Sequence, residues 1–491
     1  MLKKTIIYIM PLIALLISAC AEDDSFTTSP SKTLTFSTDS IDFDTLFSRV
    51  PSSTRTFWIY NNSGKNIRCS NIRLENGNQT GFRVNVNGIY LGKEQGFQMY
   101  NEEIRNKDSI RVFVEITPPD NGMSEPQHIK DHLVFMLESG VRQEVRLEAY
   151  AWDAEIISRL TISSDTVLSS HKPLVIRNSI DIEEGATLTL APGKTLYMHN
   201  EAMINVHGRL VCEGAPGNEV VLRGDRLDNM FDYLPYDGVS GQWGGIRIYS
   251  ESYGNIIRHT DIHGANTAIC CDSAETVKEK IRIENSTIHN NKGYGIYAEH
   301  CKISINNTQV SNSLNDCIAI VGGAANINHC TIAQFYPFDG NRGAAFSFAN
   351  NKNGTAYPLE ACTVRNSIIT GYAEDVVMAY LDDTAESNFL FDHCILRTPE
   401  IDDTTKCANI IWENAEDTVT TGSKNFILVD TELLQYNFQL SDISKAINSA
   451  DKSTSLPADR NATKRDDEPD MGCYEAEERA KSKEESKASS A

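Results

Sequence analysis

Six short strings in the middle of the chain share one pattern: Asn or His, then a small Ser, Thr or Cys, then any residue, then an aliphatic. They read His259-Thr260-Asp261-Ile262, Asn285-Ser286-Thr287-Ile288, Asn307-Thr308-Gln309-Val310, His329-Cys330-Thr331-Ile332, Asn366-Ser367-Ile368-Ile369 and His393-Cys394-Ile395-Leu396. Their first positions are separated by 26, 22, 22, 37 and 27 residues, so two consecutive steps agree to the residue and the longer ones hold inserted loops. Self-similarity at such a period is the mark of a solenoid. A second register runs beside it: Ile288 to Ile296, Val310 to Ile318 and Ile369 to Val377 are each eight apart, and Ile262 to Ile269 is seven.

A period near 22 with β-branched alternation, as in Ile281 and Ile283 or Ile303 and Ile305, is too short for paired helices and lacks a leucine-rich consensus. It predicts a coil of short parallel strands, each turn stacked on the last. Asn suits the bend between two strands because it tolerates left-handed backbone angles and its amide can bond to the amide above. The small residue and the aliphatic two places on then point inward, and the residue between them, such as Thr287, points outward. This pattern resembles the right-handed parallel β-helix repeat family, known from pectin-degrading enzymes, phage tailspikes and surface proteins. The resemblance implies an all-β fold.

At the start, Lys3-Lys4, the apolar run Thr5 to Ile17 and Ser18-Ala19-Cys20 have the three zones of an export signal. The run is short for a membrane span. Leu16-Ile17-Ser18-Ala19-Cys20 resembles a relaxed bacterial lipobox, which implies that Cys20 is lipidated, begins the mature protein and ties it to outer-membrane lipid. An ordinary cleaved signal with an incidental cysteine fits the same residues. The acidic Ala21-Glu22-Asp23-Asp24 that follows is similar to the surface-export tag of Bacteroidetes lipoproteins, which implies an outer-membrane location facing the cell exterior; a solvated acidic linker reads the same.

Without Lys3 and Lys4 the chain has 43 basic against 67 acidic residues, a net of about −24. Affinity for phosphates needs clustered cations, so nucleic acid is excluded as a natural partner. Neutral glycans, of extracellular polysaccharide or of a host or cell surface, cations or basic partners fit this charge. Besides Cys20 there are eleven cysteines, with no Cys-x-x-Cys and no zinc-site spacing. Cys330 and Cys394 sit where other repeats have Ser or Thr, so a small filler inside the coil is their expected role. Two turns apart, they are too distant to bridge.

The domain order predicted is a signal peptide over 1–19, a lipidated tether over 20–32, an immunoglobulin-like β-sandwich over 33–153, the β-helix over 154–440, a capping module over 441–475 and a disordered tail over 476–491. Short alternating runs from Leu34 to Trp152, such as Phe82 to Val86 and Ile110 to Ile116, punctuated by Asn76-Gly77 and Pro118-Pro119-Asp120-Asn121-Gly122, carry the sandwich. Glu184 to Gly193, Ile204 to Leu210 and Gln242-Trp243-Gly244-Gly245-Ile246 resemble opening turns of β-helix surface proteins. The C-terminal Ser444-Lys445-Ala446-Ile447-Asn448 through Asp470-Met471-Gly472-Cys473-Tyr474-Glu475 resembles the end module called choice-of-anchor Q, with Lys445 in place of the usual proline and Cys473 in place of the usual alanine. Its expected place is over the last open strand edge.

Catalytic strings of the pectin hydrolases and pectate lyases are not met: only Asp-Asp pairs occur, and Arg397-Thr398-Pro399 continues into Glu400-Ile401-Asp402 where the lyase pattern needs a second arginine. Two regions remain. His259, Asp261 and His263 alternate on one face and form the candidate metal or acid-base group. The excursion from Asp225 to Asp237 leaves the coil with Asp225, Asp228, Asp232 and Asp237, a hard-ligand set suited to calcium. Its Tyr236, the Trp243 that follows it, and Phe231, Tyr233 and Phe338 offer faces on which a sugar can stack. The reading that follows is a non-catalytic adhesion or glycan-contacting surface protein. The alternative is a polysaccharide lyase or glycoside hydrolase with a non-standard site.

Overall fold

The computed structural model describes residues 25–169, 172–231, 233–383 and 385–476. The signal segment and Cys20 lie outside the described residues, as does the tail from 477. The chain divides at Asp153 into two compact units.

The first unit holds two five-stranded sheets. One is antiparallel and contains Arg55–Tyr60, Ser109–Ile116 and Phe82–Val86. The other sets Arg142–Trp152 between antiparallel Gln127–Leu137 and parallel Ser40–Phe47. Phe43, Phe57, Ile59, Ile72, Val112 and Phe135 form part of the core between them. The expected alternation found the strands with clean apolar periods. Ser40–Phe47 and Gln98–Ile104 escape it because Asp44 (φ 57°) and Asn101 (φ 56°) adopt left-handed angles inside the strands and break the period of two. The expected tether is partly docked: Phe26 bridges to Asn66, and the Arg68 guanidinium lies 4.1 Å from its ring centre.

The second unit is a parallel β-helix of 26 strands, from Glu155–Ile162 to Ile411–Trp412. The first repeat register becomes one continuous ladder in which Leu222, Ile262, Ile288, Val310, Ile332, Ile369, Leu396 and Trp412 are paired turn to turn. The second register pairs Ile246, Ile269, Ile296, Ile318, Phe346 and Val377. Burying each aliphatic of these ladders contributes about 1.5–3 kcal/mol.

The bend residues explain the first letter of the repeat. His259, Asn285, Asn307, His329, Asn366 and His393 all have φ between 41° and 51°, and Asn409 (φ 53°) adds a bend where Ile410 replaces the small residue. The Asn307 amide donates to Asn285 Oδ1 at 3.1 Å, so neighbouring bends are linked side chain to side chain. The second letter has a sharper reason than size. Thr260, Ser286, Thr308, Cys330, Ser367 and Cys394 are fully buried, and each donates to the carbonyl two residues earlier. A hydroxyl or thiol thus closes each bend from inside. All eleven cysteines among the described residues are free, and burial pushes thiols such as Cys212 and Cys394 up to about 12.

Two expectations are corrected. The coil strands end at Trp412, and residues 413–440 form a segment whose hairpin, Phe426–Asp430 with Gln435–Leu440, pairs only with itself. The 441–475 segment runs back along the flank of the coil: Tyr474 donates to Gln309 at 2.8 Å, Arg465 to Asn307 at 3.2 Å and Asn328 to Thr454 at 2.8 Å. Among the described residues, none of this segment pairs with the last strands. Its backbone polar groups find partners in the bend row, where the Asn307 amide donates to the Ala458 carbonyl and Asn366 Oδ1 accepts from the Asp451 amide. Thr287 points outward, as expected, yet is buried.

Candidate functional site

Strands Thr260–His263 and Thr287–Asn291 are adjacent turns in register, with Asp261 beside Thr287 and His263 beside His289. With Ile262 and Ile288 turned inward, the flanking Asp261, His263 and His289 fall on the outer face. The two imidazoles stack with centres 4.8 Å apart and planes at 27°. His263 is held at both nitrogens: Nδ1 donates to Asp261 Oδ1 at 2.7 Å, and Nε2 to Asp237 Oδ1 at 2.8 Å. His289 Nε2 lies 3.2 Å from the same Asp261 oxygen, and Arg223 pairs with Asp237 at 2.8 Å. One chain of contacts thus runs from Arg223 through Asp237, His263 and Asp261 to His289.

The electrostatics follow from this order. Burial by itself would favour neutral His263, but the Asp261 and Asp237 carboxylates outweigh it and raise its pKa to about 9. Burial likewise opposes ionised Asp261, yet His263 and His289 hold its carboxyl well below the usual range. Asp237 is also lowered, burial again being outweighed by its bond to His263 and by Arg223. The chain ties the excursion, through Asp237, to the coil.

His259 does not join the group. As a bend residue it stacks toward the next bend, 3.3 Å from the Asn285 amide nitrogen, and borders a hollow of about 270 Å³ between the bends and residues 456–462. Burial lowers its pKa. Its place is taken by His289, which the sequence signals only through position: both His263 and His289 follow the inward aliphatic of their repeats.

Among the described residues, the excursion's carboxylates do not gather as an oxygen cage for calcium. Asp225 accepts from His199 at 2.7 Å, and Asp228, fully buried, accepts from Arg226 Nε at 2.7 Å. Asp237 is committed to Arg223 and His263, and Asp232 lies outside the described residues. The basic partners come from Arg226 in the excursion itself and from the coil strands beneath it, which spacing between acids does not reveal. Trp243 is likewise not presented to a ligand: it is fully buried in the coil and donates Nε1–H to the His263 carbonyl at 2.8 Å. One face of Tyr236 is occupied by the Arg226 guanidinium, 4.2 Å from its ring centre.

The free aromatic faces are at the excursion's tip. Phe231 and Tyr233 stack 5.7 Å apart at 12° and are 52% and 65% exposed. They border a hollow of about 400 Å³ shared with Phe338 of a second excursion, Phe335 to Pro358, and Leu434 of the C-terminal hairpin. Ser240 and Tyr336 bond at 2.7 Å and join the two excursions.

No known family's sequence profile matches the chain. A stretch of 113 residues is 30% identical to Protein bark beetle of Drosophila melanogaster, covering 22% of this chain and 4% of that protein. Among solved structures, the pectate lyase Pel9A aligns over 66% of this chain and 97% of its own, with 13% identity and a TM-score of 0.21. A PapD-like domain of human CEP192 aligns over 28% of this chain and 97% of its own, with 13% identity and a TM-score of 0.17. A family 123 glycoside hydrolase from Clostridium perfringens aligns over 25% and 26% respectively, with 8% identity and a TM-score of 0.17.

Proposed function

We propose that this chain is a surface lipoprotein of Bacteroidetes type, anchored in the outer membrane through lipid on Cys20, that contacts extracellular glycans without cleaving them. The observation that carries the glycan reading is the pair of stacked, exposed rings Phe231 and Tyr233 on the rim of a hollow built by three separate loops. Exposed aromatic faces bury much area at little entropic cost, and sugar rings present the apolar C–H faces that match them. The first loop is secured on the coil through Asp237 and His263 and the second is tied to the first through Tyr336 and Ser240, so this part of the rim is held before a ligand arrives. The lipobox-like string and the acidic residues after it support the anchor, and the Asp470 to Glu475 string supports a C-terminal segment of choice-of-anchor Q type.

The experiment is a polysaccharide panel assayed together for binding and for release of reducing ends. A bound glycan should lose roughly 5–10-fold in affinity for each of Phe231→Ala and Tyr233→Ala, with the melting temperature unchanged. Reducing-end release would instead establish the lyase or hydrolase alternative. Binding untouched in the double variant would remove the hollow from consideration. Membrane association tests the anchor separately: Cys20→Ala should release the protein or block its maturation.

A further inference from the structure

We propose that Asp261, His263 and His289 form a zinc site on the outer face of the coil, beneath the excursion that carries the aromatic rim. The inference stands apart from glycan binding and does not depend on it. Asp261 Oδ1, a nitrogen of His263 and a nitrogen of His289 all lie within 4.8 Å of one another. Two of the three separations are 2.7 and 3.2 Å, and a tetrahedral zinc with bonds near 2.0–2.1 Å sets its ligand atoms roughly 3.3 Å apart. To reach that spacing the Asp261–His263 side has to open by about 0.6 Å, and the third separation, at most 4.8 Å, has to settle near the same value.

Three further features favour an ion here over a plain ion-pair chain. The two imidazoles come from adjacent, in-register turns, so their spacing is set by the sheet and not by a loop. The second nitrogen of His263 donates to Asp237, itself held by Arg223, and metal-bound imidazoles almost always have such an acceptor, a carboxylate, a carbonyl or a water. His289 and Asp261 keep 25% and 31% of their side chains exposed, so an ion can enter and a water can complete the shell. Two imidazoles and one carboxylate select zinc and its transition-metal neighbours over calcium or magnesium, which take oxygen. Three protein ligands with an open position are the ligand count of zinc sites that act on a bound molecule.

The test uses the full chain, stripped with a chelator and titrated with Zn²⁺ by calorimetry and with Co²⁺ by visible absorption. About one zinc per chain is expected, with the absorption bands of four-coordinate cobalt in the wild type, a reading that needs no variant to fold. His289→Gln should weaken zinc binding by at least about 100-fold, and Asp237→Asn, which removes only the support, by about 10–100-fold. His199→Gln, which lies with Asp225 outside the group, should bind as the wild type does. Absence of the cobalt bands, zinc affinity undiminished in His289→Gln, or an equal response to Ca²⁺ would each overturn the proposal.

Discussion

The strands of one ladder bury their inward positions throughout and, Asp261 excepted, their outward ones too, but by different means. Inward, positions 262, 288, 310, 332, 369 and 396 are Ile, Ile, Val, Ile, Ile and Leu, interchangeable because each meets an apolar side chain of its ladder above and below, aliphatic everywhere except Trp412 beside Leu396. Outward, positions 261, 287, 309, 331, 368 and 395 are Asp, Thr, Gln, Thr, Ile and Ile, and no two neighbours along the first half share a chemistry. Asp261 meets imidazoles, Gln309 accepts from Tyr474, Thr331 accepts from the Cys473 amide, and Ile368 and Ile395 lie in an apolar cluster with Phe426 and Phe438. The inward face solves one packing problem repeatedly. The outward face takes its character from whichever later segment covers it.

Substitutions on the two faces should separate these roles. The largest effect is expected inside: Ile288→Asp places an unpaired charge between Ile262 and Val310, at a cost on the order of 4 kcal/mol or more, read as a collapse of the melting temperature. A comparable loss from a conservative outward change would mean that the two faces are equivalent.

The flank comes next, through acid. His329 is fully buried, 2.9 Å from Ser455 Oγ and 3.3 Å from the Gly472 carbonyl, and burial lowers its pKa from 6.5 to about 3, with Arg465 adding to the shift. A histidine kept neutral in the folded state contributes fully above its unfolded pKa of 6.5, because neither state then binds the proton. As pH falls below that value only the unfolded chain is protonated, and stability drops by about 1.4 kcal/mol per pH unit until the folded pKa is reached. His329→Asn keeps a bend residue suited to the left-handed angle, as Asn307 and Asn366 show. It should therefore be more acid-resistant than the wild type by roughly 2–3 kcal/mol near about pH 4.5. Parallel melting curves against pH for both proteins would refute the assignment.

The smallest effect sharpens the contact between flank and return segment. Tyr474→Phe removes the donor to Gln309 while keeping the ring, and should cost about 1–2 kcal/mol, since a buried amide oxygen loses its partner. Amide exchange should quicken across 441–475 and stay unchanged in the inward ladder. Equal quickening in both would show that the coil and its cover unfold as one.

Legibility followed the same division. The coil, its inward ladders and its left-handed bends were readable because each turn repeats the same physical demand, so six strings report one rule. The candidate site was half readable. Asp261 and His263 follow from alternation on one strand, whereas His289 enters through register between turns, Arg223 from the paired strand Val220–Gly224, and Asp237 through the path of an excursion. The acids from Asp225 to Asp237 are close in sequence, but closeness in sequence does not make them face each other. In the folded chain Asp225 and Asp228 each turn toward a base. Trp243 misled for the converse reason, since an aromatic beside a loop can serve the core when its N–H finds a carbonyl there.

The sequence by itself therefore determined the solenoid, its period, the residues that face inward and the angles of its bends, because these depend on interactions between identical positions of neighbouring turns. Only the tertiary structure decided that the C-terminal segment lies along the flank, that Thr287 is outward yet buried, and that His263 and His289 converge on one carboxylate oxygen. Those features join residues far apart or unlike in the chain, such as Tyr474 with Gln309 or Asp237 with His263. No local period encodes such pairs; they arise where one segment's unsatisfied polar groups meet another's.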